Sequence, residues 1–246
     1  MNNLGLQLYS LRHEFAADYK KTMKTVADLG FDKVEFAGFG DLSSIEMNEL
    51  LNFTGITPVS AHFGIDDIEN NFDEKIKYLK EIGCSYCTVA WANLENREEA
   101  ISAAKRLNIL AEKCTKEGLL FAYHNHGHEF KTVDDECLYD VLAEHCNELV
   151  LLEIDVYWVK QAGKDPIEYI RKYAGRVPLI HVKDGAYNDD NYFENCIVGE
   201  GELDFSEIIR VAKMLGTEHF IVEQEKAYED QIDACKKCID YLRAIK

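Results

Sequence analysis

Gly118-Leu119-Leu120-Phe121-Ala122-Tyr123-His124-Asn125-His126-Gly127-His128-Glu129-Phe130 joins a glycine, an apolar run and a polar cluster in one short stretch. A short apolar run bounded by glycine reads as a strand buried on both faces. Ahead of it, Ala100 to Cys114 spaces Ala, Leu and Ile at helical intervals, and Gly118 supplies the left-handed residue that closes such a helix. Three of the 8 histidines then fall within five residues, followed by Glu129. Imidazole beside carboxylate is the donor set of a divalent metal site, or of proton transfer near neutral pH.

The same unit recurs outward in both directions. Apolar runs at about 3–9, 33–37, 57–62, 84–90, 118–124, 149–155, 177–182 and 218–224 alternate with amphipathic stretches such as Tyr19 to Leu29. Gly30, Gly55, Gly83 and Gly216 sit where further helices must stop. Pro166 stands at the opening of a helix, where a missing N–H costs little. Eight βα units in 246 residues predict a closed (β/α)8 TIM barrel, an α/β fold spanning 1–246 as a single domain. The longest irregular piece expected is the loop from Lys183 to Gly201.

Composition narrows the partners. Lys and Arg total 27 against 45 Asp and Glu, a net charge of −18, and no basic patch interrupts it. Such a polyanion is repelled by DNA, RNA and anionic membrane surfaces, so none of these is expected as a partner. No secretory signal and no apolar stretch of membrane-spanning length is visible, and the 8 cysteines are dispersed like reduced thiols, which points to the cytoplasm. The spacings Cys84-Cys87 and Cys235-Cys238 fall in a strand and a helix rather than on knuckle turns, so buried thiols are expected in place of structural zinc.

In this barrel the active site lies at the C-terminal ends of the strands. Polar residues collect there: Gln7, Glu35, His62, the His124–Glu129 run, Glu153 and Asp155, His181 and Lys183, then Glu223. Period-2 alternation puts Leu151, Glu153 and Asp155 on one face, and Leu179, His181 and Lys183 on another. Asp155, His181 and Glu223 occupy comparable places on three successive strands and can converge on one point. Taken singly, each is more often a satisfied structural group. Glu35 and Glu153 could form core ion pairs, and His128 and His145 read as surface residues.

These pieces resemble the sugar phosphate isomerase/epimerase superfamily, the xylose-isomerase-like TIM barrels. The matching segments are Tyr123-His124-Asn125-His126 with Glu129-Phe130, Leu152-Glu153-Ile154-Asp155 with Trp158, His181-Val182-Lys183-Asp184, Gly199-Glu200-Gly201-Glu202-Leu203-Asp204-Phe205 and Val222-Glu223-Gln224. The resemblance implies one divalent ion (Mn²⁺, Zn²⁺, Co²⁺ or Mg²⁺) held by four side chains from strands five to eight. Asp155, His181 and Glu223 take the last three places. The first falls to Glu129, with His124 as its rival.

The resemblance also implies a metal-stabilised enediolate on a ketose, keto-sugar or related polyol. Glu223 and the Glu129 or His124 position are candidate bases, and Lys183 steadies a developing oxyanion. Gln7, Glu35, His62, His126 and Trp158 are candidates for the substrate wall; Trp158 stands where ketose 3-epimerases carry a histidine. The expected activity is isomerase or epimerase. A dehydratase or lyase of an inosose or 3-keto sugar is the runner-up, ahead of an apurinic-endonuclease-like or a non-catalytic sugar-binding barrel. The expected partner is a small sugar or polyol, with a homo-oligomer left open.

Overall fold

The computed structural model describes residues 4–245. Eight parallel strands close into a ring: β1 (Leu4–Gln7), β2 (Lys33–Phe36), β3 (Thr57–Gly64), β4 (Tyr86–Trp91), β5 (Leu120–His124), β6 (Val150–Asp155), β7 (Leu179–Val182) and β8 (His219–Val222). Each strand pairs with its neighbour in sequence, and β8 closes against β1 through Leu4↔Phe220 and Leu6↔Val222. Every gap between strands holds at least one helix, as right-handed parallel crossovers require.

Local chemistry sets the ends of these helices. Asn96 accepts from Glu99 N and opens the helix Arg97–Lys116, and Gly118 beyond it takes φ +80°. The helix Tyr19–Leu29 starts on the Asp18 side chain and stops at Gly30, φ +98°. Ser43 and Glu46 form a reciprocal capping box at the helix Ser44–Thr54. The last helix, Gln231–Ala244, begins where the Asp230 side chain accepts from Asp233 N and sets the first turn.

Outward-facing strand residues such as Val34, Leu152, Ile154, Ile180 and Val182 are fully buried against the helix ring. Each Leu, Ile or Val so placed stabilises the fold by about 1.5–3 kcal/mol. Inside the ring, Val59, Tyr86, Ala122, Leu179 and Ile221, with Leu151 against them, form a separate apolar layer. That plug closes the barrel from below, and the polar strand-end residues stand on it.

The stretch expected as the longest irregular loop carries structure of its own. Asp184–Tyr187 pairs antiparallel with Phe193–Cys196 in a two-stranded ribbon beside the barrel mouth. Among the described residues, no helix is long and apolar enough to cross a membrane.

Candidate functional site

The strand register lines up the polar residues above the plug. Gln7 pairs with Glu35, His124 with Glu153, and Asp155 with His181. All six of these side chains are buried. Ionisable groups persist at such burial only when paired, hydrogen-bonded or bound to a cation.

The lower tier is an alternating set of carboxylates and imidazoles. His62 Nε2 lies 2.9 Å from Glu35 Oε1 and 2.7 Å from Glu153 Oε2. Burial opposes a charge on His62, but the two glutamates outweigh it and raise its pKa to about 10. Glu35 is held well below the usual carboxylate range: burial pushes it up, and the charges of His62 and His181 pull it further down. Burial, then repulsion from Glu35, lifts Glu153 to about 7. Gln7 joins this tier by donating to Glu35 Oε1 at 2.8 Å, while its own Oε1 accepts from Tyr9 N at 3.0 Å. Gln7 and Glu35 therefore serve the imidazoles below the mouth.

The upper tier is where donors are left over. Asp155 Oδ1 caps the helix Val156–Gln161, accepting from Tyr157 N at 2.8 Å and Trp158 N at 3.1 Å. Its Oδ2 has no hydrogen-bond partner among the described residues. Asn125 holds the Asp155 backbone from both sides, accepting from its N at 3.1 Å and donating to its O at 3.3 Å. His181 puts Nε2 at 2.6 Å from Glu35 Oε1 and leaves Nδ1 without a hydrogen bond, 3.8 Å from Asp155 Oδ2 and 3.4 Å from Glu223 Oε2. Ligand atoms of Asp155, His181 and Glu223 all lie within 4.8 Å of one another. His62, His124, Glu153 and His181 form a second such group, and His181 belongs to both.

These are metal-ligating atoms by type and by orphaned state, so the residues fit a divalent cation. An imidazole whose far nitrogen is engaged by a carboxylate, with the near one free, is the usual outer support of such a ligand. Burial first, and then the Glu223 charge, lifts Asp155 to about 7 against the pull of Lys183 and His181.

Lys183 is fully buried between Glu223 Oε2 at 3.3 Å and Glu225 Oε2 at 2.7 Å. Its ammonium also lies over the rings of Tyr157 and Trp158, 5.0 and 4.7 Å from their centroids. Burial would lower its pKa, but Glu223, Asp155 and Glu225 raise it on balance, so it stays charged. Glu223 moves the other way: burial raises it, and the Lys183 charge and the His181 imidazole beside it carry it well below the ordinary value.

Glu129, expected as the first ligand, lies outside both donor groups. The turn His128–Phe130 folds it under the strand end, where Oε1 accepts from Tyr123 Oη at 2.9 Å and Oε2 from His126 N at 2.9 Å. His124, the rival, stands at the strand end with Nδ1 orphaned and 3.4 Å from Glu153 Oε2. Burial, then the nearby His181 and His62 charges, keeps His124 well below its usual pKa, hence neutral. His126 is likewise depressed, to about 3, first by burial. His128 is half-buried, with Nε2 at 3.1 Å from Ala92 O, and His145 is exposed.

Glu153, read from the sequence as a core ion-pair acid, sits in the lower tier beside His62 and His181. Two contributors were given no role from the sequence: Glu225 pairs with Lys183, and Asp184 braces the mouth. The Asp184 carboxylate accepts from Gly185 N at 2.8 Å, Gly199 N at 2.9 Å, Gly201 N at 3.1 Å and Leu203 N at 3.3 Å. Its place after His181-Val182-Lys183 and before a Gly-x-Gly segment was the available signal. All 8 cysteines are free, and none belongs to a donor group among the described residues.

A cleft of about 290 Å³ opens above these groups, lined among others by Gln7, Tyr9, His62, Trp91, His124, His126 and Glu223. Larger clefts exist on the surface, but this one reaches Glu223 of the first donor group and His62 and His124 of the second.

The barrel is shared with known proteins. The family model described as xylose isomerase-like TIM barrel matches residues 23–245. An inosose dehydratase from Clostridium perfringens is 26% identical over 167 residues, covering 60% of this chain. The chain spans only 55% of that relative's length. A sugar phosphate isomerase/epimerase of Parabacteroides distasonis superposes with a TM-score of 0.85 at 25% identity, covering 100% of this chain and 96% of the other. The IOLI protein, solved with a bound zinc atom, shares the fold with a TM-score of 0.78 at 16% identity, over 99% and 97% of the two chains.

Proposed function

Since the chain belongs to the xylose isomerase-like TIM barrel family, we propose that it is a divalent-metal-dependent enzyme that enolises a polyhydroxy ketone. The observation that carries this reading is the meeting of Asp155 Oδ2, His181 Nδ1 and Glu223, two of them orphaned, inside a closed barrel mouth. Asp155, His181 and Glu223 would hold the ion, with His124 as the fourth side chain in place of Glu129. A bound divalent cation supplies Lewis acidity, polarising a carbonyl and the hydroxyl next to it.

The chain's own groups do the rest. Glu223, kept ionised, or the neutral His124 accepts the proton from the carbon beside the carbonyl. His126 walls the cleft, and Trp158 stands behind it with ring centroids 5.6 Å apart. Lys183, the buried cation beside Glu223, offers a proton donor to an oxygen that gains charge.

Dehydration is the finer reading we favour. Epimerisation asks for a proton acceptor on one face of the substrate carbon and a donor on the other. The opposite wall here carries His124 and His126, both held neutral, while the carboxylate of Glu129 is engaged elsewhere. Elimination asks for one acceptor and one donor. The C–H pair becomes the new C=C bond, the β C–O bond breaks, and the departing hydroxyl leaves as water with a proton from Lys183. The likeness to an inosose dehydratase supports this order. Isomerase or epimerase chemistry is the second reading, supported by the structural neighbour of that description.

Incubation of the Mn²⁺-loaded protein with an inosose in D₂O separates them. Dehydration predicts loss of water and a rising enone absorbance. Solvent deuterium gained at carbon with every C–O bond retained would favour isomerase or epimerase chemistry. Neither change, with a range of ketoses as well, would end the enolisation reading.

A further inference from the structure

Trp91 closes β4 with 53% of its surface exposed, and its indole borders two clefts. On one side is the mouth described above. On the other is a larger cleft of about 480 Å³, within the ~300–1,000 Å³ range of small-molecule sites. The indole is held in place: its ring centroid is 4.5 Å from that of His128, which is itself tied to the backbone of Ala92. It is also 5.4 Å from the centroid of His126 in the mouth. Trp91 lines both clefts, so its indole is the shared wall between the mouth and the larger cleft.

The second cleft has the chemistry of a neutral polyol site. Beyond the indole it is lined by Asp66, Asn93, Glu99, Ser102 and Arg106. Its cation is already compensated: Arg106 Nε meets Glu69 Oε1 at 2.9 Å, Nη2 meets Glu69 Oε2 at 2.6 Å, and Asp66 binds the same nitrogen. An anionic group such as a phosphate would meet excess carboxylate. A sugar ring offers apolar C–H faces to the indole and hydroxyl donors to the surrounding oxygens. The rim is ordered as well, because Glu99 accepts from Glu95 N at 2.9 Å and Asn96 Nδ2 at 3.1 Å.

We infer that the cleft beside Trp91 is a second sugar subsite, and that the natural substrate is an uncharged keto-sugar glycoside of at least two rings, with the ketone on the ring at the donor cluster. One ring lies at the donor cluster and the next over Trp91. The inference rests on the sugar-type substrate proposed above, but binding tests it without turnover.

Ligand-observed NMR titrations would compare methyl glucoside with cellobiose, maltose and trehalose. At least one disaccharide should bind tenfold or more tightly than the methyl glycoside. Ser102→Trp, on the exposed side of its helix, should fill the cleft and erase that preference while leaving methyl glucoside affinity within twofold. Trp91→Ala should erase it too, so a misfolded variant of one kind does not decide the matter. Equal affinities for all the sugars would overturn the subsite. So would a disaccharide preference that survives both variants, or an aryl glucoside preferred over every disaccharide. Disaccharide binding in a protein that enolises no ketose would sink the proposed reaction and leave the subsite standing.

Discussion

His181 and Glu35 stand at opposite sides of the barrel interior, 146 residues apart in sequence, and meet at 2.6 Å through Nε2 and Oε1. That bond decides which nitrogen of His181 is free. With Nε2 held by Glu35, Nδ1 is the nitrogen that faces Asp155 and Glu223, where a bound cation would take the place of its proton. Glu35 therefore acts on the metal site from outside it.

Glu35→Gln should weaken divalent-ion binding by about 10–100-fold, the usual effect of losing an outer carboxylate behind a ligating imidazole. Competition against a fluorescent chelator reads this directly. Circular dichroism should show the barrel intact. Unchanged affinity would mean that Glu35 serves only His62 and Gln7.

Glu129→Ala should leave metal content unchanged, since its carboxylate faces away from the donors. It should cost about 1–3 kcal/mol of stability, because the buried Tyr123 hydroxyl and His126 N–H lose their acceptor. Loss of the ion in a folded Glu129→Ala chain would restore Glu129 as a ligand.

At the other end of the barrel, His219 is pushed down to about 4, first by burial and then by the Lys33 ammonium 3.1 Å away. The folded imidazole thus stays neutral where the unfolded one, near 6.5, takes up a proton. Its contribution is fully present above about 6.5 and is lost as pH falls toward 4. Replacing His219 by Gln should flatten the loss of denaturant midpoint across that window. A slope identical to the native protein's would assign the acid sensitivity elsewhere.

Gly201 packs against Asp184 so closely that an added Cβ would lie 2.2 Å from Oδ1 and 2.4 Å from Gly185 O. Gly201→Ala should cost about 1–3 kcal/mol, as overpacking of a tight site does. The melting temperature should fall accordingly, and Lys183, adjacent to Asp184, should lose its fixed position. A native-like melting temperature would show that the loop can shift without penalty.

Much of this was legible because strand periodicity carries it. Period-2 alternation put Glu153 with Asp155 and His181 with Lys183, and glycine stops marked where helices ended. Three things were not. Glu129 is five residues past His124, and only the short turn His128–Phe130 with its long-range partner Tyr123 determines where its carboxylate points. Glu153 reads from sequence as one more core acid; its role depends on imidazoles from β3, β5 and β7 meeting it across the barrel. The ribbon after β7 was hidden because Asp184 organises it through backbone N–H groups that no side-chain pattern announces.

The central claim is that Asp155, His181 and Glu223 hold one divalent ion. Elemental analysis of the native chain beside folded Asp155→Ala and Glu223→Ala variants tests it most directly. About one ion per native chain is expected, with a loss of at least tenfold in bound metal in each variant. Equal metal content in all three folded proteins would contradict it.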